Sequence, residues 1–168
     1  MTGEPGVSWS AAEILALAGK AARGAGAPAG QAARFGRAAA HHLMAGHRPD
    51  DLDRALDALP GGPVIHLPAA LDEVMAGDST VITSDAPGNL VHSYVAVLPF
   101  ASRARAQGPD TWQIDVDLSQ PSPRIPPRRI AGAQALVEKM TELAARTFVP
   151  ETEASRAAGA GAGLTDND

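Results

Sequence analysis

Trp112-Gln113-Ile114-Asp115-Val116-Asp117-Leu118 alternates large apolar with polar residues without a break. A period of two sets Trp112, Ile114, Val116 and Leu118 on one face of a strand and Gln113, Asp115 and Asp117 on the other, giving a half-buried strand with one wet face. Strands of antiparallel sheets have such faces, whereas parallel strands are buried on both. The residues ahead of this stretch read largely as helices. The fold class that follows is α+β: N-terminal helices, a small antiparallel sheet, and a long C-terminal helix followed by a Gly-rich tail.

Further strands are expected at 80–84 and 90–98, joined around Pro87-Gly88, a pair suited to a type II turn. Residues 64–67 form another short candidate, ahead of a short helix over 68–76 that Gly77 ends. Before the Pro60-Gly61-Gly62-Pro63 break, three helices fill the chain. Ser10 with Glu13 three residues on has the form of a capping box and predicts a helix from Ala11, with Ile14, Leu17, Ala18 and Ala21 inward. Pro28 suits the first turn of a second helix that runs to Gly46 on a stripe of Ala32, Gly36, Ala39 and Leu43. Pro49 opens a third, with Leu52, Ala55, Leu56 and Leu59 inward and Asp50, Asp51, Asp53 and Asp57 toward water. C-terminal to the decisive strand, the proline-rich residues 121–127 should cross the surface as an extended connector. A last helix over 130–147 places Ala133, Leu136, Val137, Met140, Leu143 and Ala144 on one face.

The chain has 168 residues, the size of a single α+β domain. Nearly half of its apolar fraction of 45% is alanine, with two Trp, one Tyr and three Phe. The core is therefore lean, with helices packed through Ala and Gly faces, and such a core suggests a homodimer. The lack of cysteine excludes disulfides, thiolate metal sites and a cysteine nucleophile. No signal pattern or membrane-length apolar run is present, so a soluble cytoplasmic protein is expected, with no membrane partner. The net charge of −5 is concentrated in residues 49–85, and without a basic face no nucleic-acid partner is expected, although Arg34 and Arg37 lie on the second of two helices joined by a short Gly-containing turn.

His41, His42 and His47 are the one histidine cluster. Their separations of one, five and six place no pair on one helical face, so a solvated helix end is expected and no metal site. His92 and Tyr94 share a face of the expected strand at 90–98, near Ser84, Asp85 and Ser93. That makes His92 the candidate acid or base, although no nucleophile elbow accompanies it. No cofactor motif is present. In the tail, Gly159-Ala160-Gly161-Ala162-Gly163 can expose consecutive backbone N–H groups to an anion, with Arg156 beside them.

Two stretches together, Glu13 to Gly26 and Thr147 to Asp168, resemble a family of conserved, uncharacterised proteobacterial proteins that open with such a helix and end with a Gly-Ala-Gly-Ala-Gly-Leu-Thr-Asp-Asn-Asp segment. The resemblance implies no activity or catalytic residue. It implies that the tail over 147–168 is docked rather than free. The function expected is that of a small soluble binding or assembly domain, homo-oligomeric, with a small anionic ligand or a protein as partner. The alternative is a small enzyme acting on an anionic metabolite, with Arg156, Gly159, Gly161 and Gly163 binding the negative group and His92 moving the proton.

Overall fold

The computed structural model describes residues 7–147, and within them the α+β class holds. In chain order the elements are β1 (Ser8–Trp9), α1 (Ala11–Gly24), α2 (Ala29–Met44), α3 (Pro49–Asp57), α4 (Pro63–Ala76), β2 (Val81–Thr83), α5 (Gly88–Ala96), β3 (Phe100–Ala106), β4 (Thr111–Pro121), β5 (Ile130–Ala131) and α6 (Gln134–Ala145). The strands form an antiparallel three-stranded sheet in the order β2-β4-β3 and a two-stranded ribbon of β1 with β5.

The N-terminal helices form where their sequence signals place them. Ser10 Oγ accepts from the Glu13 backbone N–H at 3.2 Å while the Glu13 carboxylate accepts from the Ser10 N–H at 2.6 Å, closing the capping box. Two glycines then let helices touch at the backbone. A methyl group on Gly24 would lie 1.8 Å from the Leu143 carbonyl oxygen, and one on Gly36 would lie 2.5 Å from that of Leu15. Thus α1 rests directly on α6 at one crossing and on α2 at the other, and Phe35 fills the space that remains, fully buried.

Four expectations fail, each for a physical reason. Residues 64–67 and 68–76 are one helix, because Val64, Leu67, Leu71 and Val74 repeat at helical spacing and all are buried. Pro68 removes just one backbone donor there. Residues 90–98 are not a strand, and most of them belong to α5. Leu90, Val91, Tyr94 and Val95 form its buried face, and packing on α2 and β3 overrides the β-branched composition. Pro87-Gly88 consequently opens a helix rather than turning a hairpin, and β2 pairs with β4, Ile82 facing Trp112. The second neighbour of β4 is β3, whose Phe-Ala-Ser-Arg-Ala-Arg-Ala sequence carries little strand signal. Finally, α6 starts at Gln134, because Ile130 and Ala131 pair with Trp9 and Ser8 instead.

The decisive strand runs as expected through Trp112 and Ile114, both buried, but Leu118 is 63% exposed. The reason is a register shift: Ala101 pairs with Asp117 and Phe100 with Pro121, so residues 118–120 bulge out of the ladder. Among the described residues no helix is long and apolar enough to cross a membrane. Arg156, Gly159, Gly161, Gly163 and nearly all of the tail lie outside the described residues.

Candidate functional site

Two groups of polar side chains stand out within the helical layer. The first is centred on His42, which is not at a solvated helix end but fully buried. Its Nε2 lies 3.0 Å from the Arg48 carbonyl oxygen and its Nδ1 3.0 Å from Ser93 Oγ. A carbonyl only accepts, so Nε2 of the neutral ring carries the proton, and Nδ1 and the Asn89 carbonyl oxygen face the single proton of the Ser93 hydroxyl together. Asp51, expected in water, is instead buried, with its carboxylate 3.6 Å from the same Nε2 and 2.7 Å from Arg54 Nη2.

Serine, histidine and aspartate thus meet, but not as a hydrolytic triad. Serine and carboxylate address the wrong ring nitrogens, and Ser93 is fully buried with its Oγ also 2.7 Å from the Asn89 carbonyl oxygen. Burial lowers the pKa of His42 below the ordinary histidine value, holding the ring neutral. Both ring nitrogens are engaged, so this group ties α2, the turn before α3, and α5 together. The adjoining surface depression has no charge to offer, since Arg48 pairs with Asp50 and Arg54 with Asp51.

The second group lines a cleft of about 410 Å³ between α2, α4, α5 and the turn that leads into β3. Its walls are apolar, from Pro68, Leu71, Met75, Val97, Leu98 and Pro99. Its polar groups are Arg34 and Arg37, one turn apart on α2, together with Asp72 of α4 and Tyr94 of α5. Arg34 Nη1 lies 2.7 Å from Asp72 Oδ1 and donates to the Pro68 carbonyl oxygen at 3.1 Å. Arg37 is exposed and has no hydrogen-bond or ion-pair partner among the described residues.

Tyr94 is the unusual member. It is 2% exposed, and burial pushes its phenol well above the ordinary tyrosine range, against the opposite pull of the Arg34 charge. The hydroxyl is therefore a protonated donor, yet it has no hydrogen-bond partner among the described residues. Buried polar atoms are nearly always satisfied; among the described residues His41 Nδ1 and Trp112 Nε1 are orphans too, but Tyr94 is the one whose residue lines the cleft, where a turn of its side chain would meet an acceptor from outside. Two guanidiniums against one carboxylate leave the cleft with a net positive charge.

The residues singled out in the sequence are distributed differently. On a strand His92 and Tyr94 would share a face; on α5 they diverge, Tyr94 inward and His92 exposed, its ring edge-on to Trp112 at 5.4 Å. Ser84 is buried and accepts from the Ala86 N–H at 3.2 Å, which makes it a turn residue. Of the histidine cluster, His42 and His47 approach to 5.0 Å between ring centroids. The cleft residues were legible in part, since the spacing of Arg34 and Arg37 puts both on one helical face. Tyr94 joins them only once its segment is helical. Comparison of the chain with protein-family models, with curated proteins and with solved structures finds no match.

Proposed function

We propose that this chain is a small binding domain whose cleft between α2, α4 and α5 takes an anion with a short apolar body, a medium-chain or aryl carboxylate being the simplest case. The observation that carries the proposal is the Tyr94 hydroxyl, a buried donor without an acceptor in a residue lining the cleft that the unpaired Arg37 also lines. The volume of about 410 Å³ falls in the range of small-molecule sites, which combine apolar walls with a few convergent polar groups. In the complex, the Arg37 guanidinium and the Tyr94 O–H would both donate to the ligand's carboxylate, while Leu71, Met75 and Leu98 would cover its hydrocarbon part.

The reading keeps the small soluble domain expected from the sequence, together with self-association and a cytoplasmic setting. Their support is the lean, alanine-rich core and the absence of cysteine. It favours a binding role over the enzyme alternative because the cleft lining includes no histidine, and His92 faces outward. Thermal-shift measurements with octanoate and phenylacetate test it. A ligand at about 100 times its Kd adds about 2.7 kcal/mol of stability. A saturable upward shift that Arg37→Glu abolishes is expected; no shift with either anion would contradict the proposal.

A further inference from the structure

The segment after β4 reads Pro121-Ser122-Pro123-Arg124-Ile125-Pro126-Pro127-Arg128-Arg129. Proline fixes its own φ near about −65° and pushes the residue before it into extended backbone. At positions 121, 123, 126 and 127 these constraints overlap, so most of the segment is restricted to the polyproline II region before any partner arrives. Residues 122–129 accordingly belong to no helix or sheet, and from Pro123 to Arg129 every residue is exposed.

Both ends are held. The Ser122 N–H donates to the Pro99 carbonyl oxygen at 3.0 Å and its hydroxyl to that of Ala96 at 3.1 Å. At the other end Arg129 Nε donates to Ser8 Oγ at 3.1 Å, and Ile130 is buried in the β1–β5 ribbon. Between these anchors Arg124 and Arg128 have no hydrogen-bond or ion-pair partner among the described residues. An extended run with fixed ends, exposed prolines and unpaired guanidiniums stands open to a partner, with the Arg128 guanidinium close over Gly46 just past the end of α2.

We infer that Pro123 to Arg128 is a docking strand for a partner domain with an aromatic-lined groove and an acidic rim, the kind of surface that reads polyproline helices. Three residues per turn put Pro123 and Pro126 on one edge, where they fit successive slots between aromatic rings. Arg128, two residues beyond Pro126, reaches the acidic rim. The anchored ends lower the ordering cost that a free proline-rich peptide would bear on binding. The distribution of charge favours this partner over a membrane or nucleic acid, because the chain as a whole carries −5 and the two unpaired arginines of the segment, Arg124 and Arg128, are separated by Pro126 and Pro127.

The test uses the full chain with a panel of isolated SH3 domains whose grooves have acidic rims, read by fluorescence anisotropy. Binding by at least one domain is expected, weakened at least about tenfold in Pro123→Ala/Pro126→Ala and again in Arg128→Glu. Lys20→Glu, exposed on α1, should leave it unchanged, and all variants should keep the parent melting temperature. Failure of the whole panel to bind would overturn the inference. So would binding that Arg128→Glu abolishes but the proline variant retains, or retention on phosphatidylserine vesicles that ignores the proline substitutions, since either would reduce the segment to its charge.

Discussion

The imidazole Nδ1 of His42 lies 3.0 Å from the hydroxyl oxygen of Ser93, the two fully buried where α2 crosses α5. This hydrogen bond fixes the rotation of α5 and so holds Tyr94, the next residue, against the cleft. Ser93→Ala leaves Nδ1 without its hydrogen-bond partner in a dry site, at a cost of about 1–3 kcal/mol. Urea unfolding should show that loss. It should also show a larger loss than Ser79→Ala, whose hydroxyl is exposed on the surface.

Burial lowers the proton affinity of His42 and of the partly buried His41 relative to the unfolded chain, which titrates near 6.5. The folded state therefore binds fewer protons than the unfolded state as pH falls. Stability should be full above about pH 6.5 and decline as pH drops through that value toward the depressed folded pKa. Melting curves between about pH 8 and about pH 5 should show this decline, and His42→Asn should flatten part of it. A melting temperature that rises on acidification would contradict the assignment.

Backbone contact at the helix crossings makes glycine irreplaceable at two places and not at a third. Gly24→Ala and Gly36→Ala force α1 away from Leu143 and from α2, and each should cost about 1–3 kcal/mol. At Gly30, in the first turn of α2, an added methyl would meet nothing within 4 Å, so Gly30→Ala should instead gain about 0.5–1 kcal/mol. Thermal denaturation of the three variants side by side would separate them.

In the cleft the Asp72 carboxylate holds Arg34 at 2.7 Å, as a ligand's anion would. Removing that competitor should help an incoming anion. Asp72→Asn is expected to tighten octanoate binding several-fold, and Tyr94→Phe, which deletes the orphan donor, to weaken it by about 1 kcal/mol, both read by isothermal titration calorimetry. Both residues line the same wall system, so matching effects of the same sign would contradict the roles given to them.

Local signals in the sequence are strong where one residue pattern has one solution. Ser10 and Glu13 cap α1, and the alternation at Trp112 and Ile114 yields a strand of the expected face. The pattern is ambiguous for short apolar runs such as Leu90-Val91 and Val64-Ile65, where periodicity does not separate a buried strand from a buried helix. Read as a strand, residues 90–98 place Tyr94 beside His92 and hide its convergence with Arg34 and Arg37. Nor does sequence spacing disclose that His42 is buried, because the partners that bury it, Arg48 apart, lie 9 to 51 residues away in the chain at Asp51 and Ser93. The hydroxyl of Tyr94 is an orphan only in three dimensions.

The cleft as an anion site is tested most directly by following backbone amide resonances of the ¹⁵N-labelled chain during titration with octanoate. The account predicts saturable shifts concentrated at Arg34, Arg37, Leu71, Met75, Tyr94 and Leu98, and their loss in Arg37→Glu. Unmoved resonances at saturating octanoate, or shifts centred on another surface, would contradict it.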